Sequence, residues 1–194
     1  MTNNSVKILA FAGSLRENSF NKQLVKIAAV GAETAGASVT FIHLKDYPLP
    51  FMDEDLEAEQ GIPENAKVLK SLLKSHHGFL IASPEYNGSF SGVLKNAIDW
   101  CSRQEEGESV LECFKNKHTA IMSASPGALG GIRGLPMLRN VLSGIGCHVL
   151  PTQIAIGKAG EAFNSDHLLN RPQQQANVEK LGKELVEIIA KLQA

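Results

Sequence analysis

Apolar residues along this chain gather in two kinds of run, and the two kinds alternate. Residues 6–12 are apolar except for Lys7, and the run halts at Gly13. A short run without polar alternation predicts a strand buried on both faces, as in parallel sheets. Leu24, Ile27, Ala28 and Gly31 then recur at helical spacing, and Gly36 closes that segment. Residues 39–44 predict a second, more mixed strand, which leads into the Pro-rich turn 46–50. The acidic stretch holding Asp53, Glu54, Asp55, Glu57 and Glu59 is expected to be a solvated loop. Pro63 opens a helix with Val68, Leu69, Leu72 and Leu73 on one face. Residues 78–82 predict the third strand, and Val93, Leu94, Ala97, Ile98 and Cys101 the helix after it. Residues 119–124 predict the fourth strand. Leu135, Leu138, Val141, Leu142 and Ile145 mark the next helix. A short fifth strand is expected at 147–150, and Val178, Leu181, Leu185, Ile188 and Leu192 mark the last helix.

Five strands alternating with five helices predict one open parallel sheet covered on both faces. No repeat or long linker divides the chain, so residues 1–194 are expected to form a single domain. In such sheets ligands bind beyond the carboxyl ends of the strands, where the strand order switches. The loops after strands one, three and four therefore carry the functional question.

Composition narrows the classes. With 19 Lys+Arg against 20 Asp+Glu the formal net charge is −1, which argues against a nucleic-acid partner. No run approaches the roughly 18 apolar residues of a membrane span, and the polar start at residues 1–5 lacks the features of an export signal. Cys101, Cys113 and Cys147 form no C-x-x-C pair and are expected to be reduced, buried thiols of a cytoplasmic protein. His76 and His77 are adjacent at a helix end, and His43, His118, His148 and His167 are scattered. No metal site is expected from them.

The loop after strand one contains Gly13, Ser14, Leu15, Arg16, Glu17, Asn18, Ser19, Phe20 and Asn21 and enters a helix. A helix N-terminus offers free N–H groups and partial positive charge to an anion. The hydroxyls and Arg16 suit a terminal monophosphate, whereas neither a G-x-G-x-x-G nor a Walker-type loop is present. The loop after strand three contains Pro84, Glu85, Tyr86, Asn87, Gly88, Ser89, Phe90 and Ser91. Gly88 permits positive φ or close approach, and Tyr86 offers an apolar ring face with a polar tip. Phe90 stands at the centre of Gly88–Gly92, so the G-x-S-x-G of a serine hydrolase is not met.

The segment from Pro84 to Ser89, followed by Leu94, Lys95, Asn96, Ala97, Ile98, Asp99 and Trp100, resembles the signature of the NADPH-dependent FMN reductase family. The resemblance extends, over roughly residues 6 to 150, to the first loop, to the stretch from Leu49 to Glu57, and to residues 123–131 with Arg133. Departures are Ser91 and His118, where many relatives carry Pro. The resemblance implies a flavodoxin-like three-layer α/β/α sandwich with a parallel sheet of order 2-1-3-4-5. It implies that Ser14, Arg16, Ser19, Phe20 and Asn21 hold the FMN phosphate. Pro84, Glu85, Tyr86, Asn87, Gly88 and Ser89 would cradle the isoalloxazine, with Ser123, Ser125 and Gly127 along its other edge. It implies NADPH or NADH as donor, a quinone or another small acceptor, ping-pong kinetics and no catalytic side chain, because the flavin carries the redox chemistry. A homodimer or homotetramer is implied too, with the acidic stretch covering a neighbour's flavin. The contrasting class is a flavin-binding electron carrier or redox-responsive interaction protein without turnover. Carriers of this fold usually have a Thr-rich phosphate loop and a markedly acidic surface, so Arg16 and the net charge of −1 favour the enzyme.

Overall fold

Each continuous apolar run becomes a strand because only a strand covered on both faces removes every one of its side chains from water. The computed structural model describes residues 5–193; the start of the chain, on which the export-signal expectation mostly rests, lies outside the described residues. Five parallel strands, β1 (Lys7–Ala12), β2 (Ser38–His43), β3 (Gly78–Ala82), β6 (His118–Ala124) and β7 (His148–Ile156), pair in the order β2-β1-β3-β6-β7. Counted within this sheet alone, that is the expected 2-1-3-4-5. A two-stranded hairpin, β4 (Glu85–Tyr86) and β5 (Ser89–Phe90), stands apart. Flavodoxin-like topology results.

Strand periodicity divides the core into two layers. Ile8, Ala10 and Ala12 face α1 (Phe20–Thr34) and α7 (Pro172–Gln193), with Leu24, Ile27, Ala28, Leu181 and Leu185 filling the space. Leu9 and Phe11 face α3 (Glu64–Ser75), α4 (Gly92–Ser102) and α5 (Gly134–Gly144), with Leu69, Leu94 and Leu138. Helices α1 and α7 touch backbone to backbone. A methyl group at Gly31 would overlap the Glu179 carbonyl, and one at Gly182 the Ala28 carbonyl. Glycine is therefore required at both crossings by space rather than by φ.

Three expectations change. The acidic stretch is a short helix, α2 (Glu54–Gln60), because the Asp53 carboxylate accepts from the Asp55 and Leu56 N–H groups. Acidic residues also suit its positive N-terminal end. It lies against its own chain: Glu57 pairs with Arg103 at 2.7 Å. Second, the fifth strand runs well beyond residue 150. A register irregularity opposite residues 119–121 makes room for Pro151, which an edge strand tolerates. Third, His118 and His148 are not scattered, since the parallel register sets them side by side with ring centroids 5.0 Å apart.

At the amino end of the sheet, Lys70 is almost wholly buried, and its ammonium meets the Arg103 carbonyl, Glu105 and Glu108 at 2.6–2.8 Å. This network ties the long segment between α4 and β6 to α3. Burial alone would raise the Glu108 carboxyl, but Lys70 and Lys74 overcome it and hold the group at about 2. All three cysteines are free and buried. Burial raises the Cys113 thiol to about 11 and Cys147 to about 12, so neither is an accessible thiolate at neutral pH.

Candidate functional site

Loops leaving β1, β3 and β6 meet at the carboxyl edge of the sheet, each held by a bond that prolongs the ladder. Gly13 N–H donates to the Ala82 carbonyl at 2.8 Å, and Ser83 N–H to that of Met122 at 3.0 Å. Ser125 N–H donates to the Ile156 carbonyl at 3.1 Å. The parallel register thus fixes where every loop begins.

The first loop leaves the N-terminus of α1 open. Ser19 is the N-cap, extended at φ −90° and ψ 125° and buried, yet its hydroxyl makes no capping bond. Ser14, in the same loop, is also buried, Arg16 is exposed, and no acidic side chain occupies the first turn. Asn21 behaves differently from its neighbours. Its amide donates to the Ala124 carbonyl and accepts from the Ala124 N–H, both at 2.9 Å, which locks α1 to the end of β6. The Phe20 ring stacks on Phe163, with ring centroids 5.7 Å apart.

The loop after β3 is the hairpin, and its two-residue turn is Asn87-Gly88. Both turn residues have positive φ, 53° and 82°, as a type I′ turn needs. Asn-Gly is the dipeptide that favours such a turn, so the hairpin has a local signal in the sequence. Tyr86 is 56% exposed. The Glu85 side chain is buried and turns away from the hairpin. It accepts from the backbone N–H groups of Arg133 and Gly134 at 3.0 and 3.3 Å and from Arg133 Nε at 2.7 Å. A carboxylate from one loop thereby caps α5, the helix that follows the third loop.

Near the end of β6, Ser123 is buried with its hydroxyl unpartnered, while in the loop that follows the Ser125 hydroxyl accepts from Gly127 N–H at 3.3 Å. Gly131 has φ 87°, and a methyl there would collide with the Ser123 hydroxyl. The turn therefore sits directly over Ser123.

Sequence reasoning missed the side chains that position these loops. Ser91 Oγ donates to the Gly13 carbonyl at 2.6 Å and accepts from Leu94 N–H, so a residue noted as a departure joins the first loop to the start of α4. Ser91 N–H in turn donates to the Ser83 hydroxyl at 3.2 Å. Asn96 Nδ2 and Trp100 Nε1 both donate to the Pro50 carbonyl at 2.8 Å, and Asn96 Oδ1 accepts from Met52 N–H. Their i, i+4 spacing puts both on one face of α4, but the loop they hold lies 46–50 residues away in sequence. Phe51 is left 85% exposed next to that anchor.

Comparison with known proteins agrees with this architecture. The sequence profile described as NADPH-dependent FMN reductase matches residues 6–161. A probable NADPH:quinone oxidoreductase 2 of Oryza sativa subsp. japonica is 32% identical over 193 residues, covering 98% of this chain and 88% of the relative. An NAD(P)H-dependent FMN reductase of Pseudomonas aeruginosa is 35% identical over 161 residues, 82% of each chain. Among solved structures, a flavoenzyme NAD(P)H:(acceptor) oxidoreductase from Paracoccus denitrificans superimposes with a TM-score of 0.77 at 28% identity. It covers 96% of this chain and 98% of that one.

Proposed function

The chain belongs to the NADPH-dependent FMN reductase family, and from that premise we propose that it passes electrons from NAD(P)H through FMN to quinones. Flavins, azo dyes and chromate are further acceptors of this reading. The observation that carries it is the α1 N-terminus, left without a side-chain cap beside two buried serines and Arg16. That arrangement fits a phosphate monoester: free N–H groups, two hydroxyls and one guanidinium are complementary to its oxygens.

Bound FMN would supply the two-electron redox chemistry. The residues of the chain supply binding and orientation. Ser14, Arg16, Ser19 and the first-turn N–H groups of α1 hold the phosphate, while Asn21 holds α1 in place. Main-chain groups of Pro84 to Ser89 present donors to the ring, and the Asn87-Gly88 turn fixes their direction. Ser125 and Gly127 line the other edge, whereas Ser123, expected there from the sequence, lies sealed beneath the Gly131 turn. Donor and acceptor take turns at one open cleft, which gives ping-pong kinetics. Exposed Tyr86, Leu129, Ile132 and Met137 support a homodimer or homotetramer. Three free, buried thiols support a cytoplasmic protein, one five-stranded sheet supports a single domain, and among the described residues no helix is long and apolar enough to cross a membrane.

The experiment is purification followed by release of FMN, then NADPH oxidation with and without benzoquinone. Yellow protein whose NADPH consumption depends on the quinone is expected. Protein that takes up no FMN, or that takes it up and stays oxidised with NADPH under anaerobic conditions, overturns the reading. Parallel double-reciprocal lines check the ping-pong order.

A further inference from the structure

Where β1 ends and the first loop begins, Gly13 is buried, and its carbonyl has one partner among the described residues, the Ser91 hydroxyl at 2.6 Å. A serine hydroxyl has a single proton. The Ser91 oxygen accepts from Leu94 N–H at 3.4 Å, so that proton is committed to the Gly13 carbonyl. Ser91 is held in turn by its own N–H, which donates to the Ser83 hydroxyl at 3.2 Å. Packing at this junction is close. A methyl on Gly13 would stand 2.8 Å from the Ser91 hydroxyl and 2.9 Å from Leu94 Cβ, so only glycine brings its carbonyl this near.

The consequence falls on the next residue. A trans peptide unit is planar, with its C=O and N–H pointing in opposite directions, and no cis peptide occurs among the described residues. Because the Gly13 carbonyl is turned toward the start of α4, the Ser14 N–H is turned away from it. Helix α1 belongs to the opposite layer of the core from α4. Ser14 is 5% exposed, yet its N–H meets no acceptor among the described residues. A buried donor left in this way is costly unless a ligand completes it.

We infer that Ser91 is a positioning residue for the phosphate of the flavin: by fixing the Gly13 carbonyl, it aims the Ser14 N–H into the first loop as a further donor to that group. The inference rests on the FMN reading above. It adds a residue that acts through the backbone of another loop, 78 positions away in sequence.

The test compares FMN with riboflavin, which has the same ring and ribityl chain but no phosphate, by fluorescence quenching on the full chain freed of flavin. In Ser91→Ala the preference for FMN should fall about threefold with riboflavin affinity unchanged, the weakening expected when one donor is turned aside. Ser91→Pro should give the same result. The φ of −67° at this position is proline's own, so this variant keeps the test valid should Ser91→Ala fold poorly. Equal weakening of both flavins would mark Ser91 as merely structural and overturn the inference. So would an undiminished preference for FMN in both variants. Wild-type protein that binds FMN no better than riboflavin would instead overturn the phosphate reading on which the inference stands.

Discussion

Two helices of this protein begin with serine in the same backbone conformation, and the serines do opposite things. Ser19 before α1 and Ser91 before α4 are both extended and both buried. Ser91 accepts from Leu94 N–H and donates to Gly13, whereas the Ser19 hydroxyl has no capping bond. A third start, that of α5, is capped from a distance by Glu85. Where a helix end is satisfied within the chain it stabilises the fold. Where it is left open it is available to a ligand.

The largest effect that would break this contrast is expected at Glu85. Glu85→Ala removes a buried carboxylate with three donors and should destabilise by about 2–3 kcal/mol, read by urea unfolding. A loss under about 0.5 kcal/mol would show that α5 needs no remote cap. Next comes the open helix. Arg16→Ala and Ser19→Ala should each weaken FMN binding by about tenfold, measured by fluorescence quenching, the effect of one hydrogen bond to a charged group. Stability without FMN should stay within a few tenths of a kcal/mol, since neither side chain is bonded in the chain. Equal losses of stability and affinity would erase the distinction between α1 and α4. Ser91→Ala should show the reverse pattern, about 1 kcal/mol off stability for the lost cap with a smaller change in FMN affinity.

The smallest effects near neutrality are expected at the opposite edge of the sheet. Burial lowers the pKa of both His77 and His118, reinforced by Lys117 and by His148 respectively. The unfolded chain therefore binds more protons below about 6.5. Stability from these groups is present above that pH and is lost as pH falls through their lower folded values. Glu108 adds a second, steeper decline between the ordinary carboxylate value of 4.5 and about 2. A denaturant midpoint followed from pH 8 to 3 should show the shallow step first. In Glu108→Gln the acid step should be lost and the shallow one kept.

Much of the site was legible because helix starts, a Ser-rich loop and an Asn-Gly turn are local chemistry. Ser19 stands at the start of α1 and Ser14 is buried in the same loop, and the Asn87-Gly88 turn is itself a hairpin signal. Local chemistry did not reveal which polar groups were already engaged. Asn21 looks like another phosphate donor in the sequence, yet Ala124, 103 residues away, engages it at both ends. Glu85 looks solvated, yet it serves α5.

The alternation of apolar runs determined the number of strands in the main sheet and their succession along the chain, because burial depends on a residue's own periodicity. The acidic stretch became helix α2 through its Asp53 cap, a local signal outweighed by its charge. The register irregularity at Pro151, the pairing of His118 with His148 and the anchoring of Pro50 by Asn96 and Trp100 were decided only in three dimensions. Each joins groups whose partners are set by strand register and helix packing, and neither is encoded in the residues on either side.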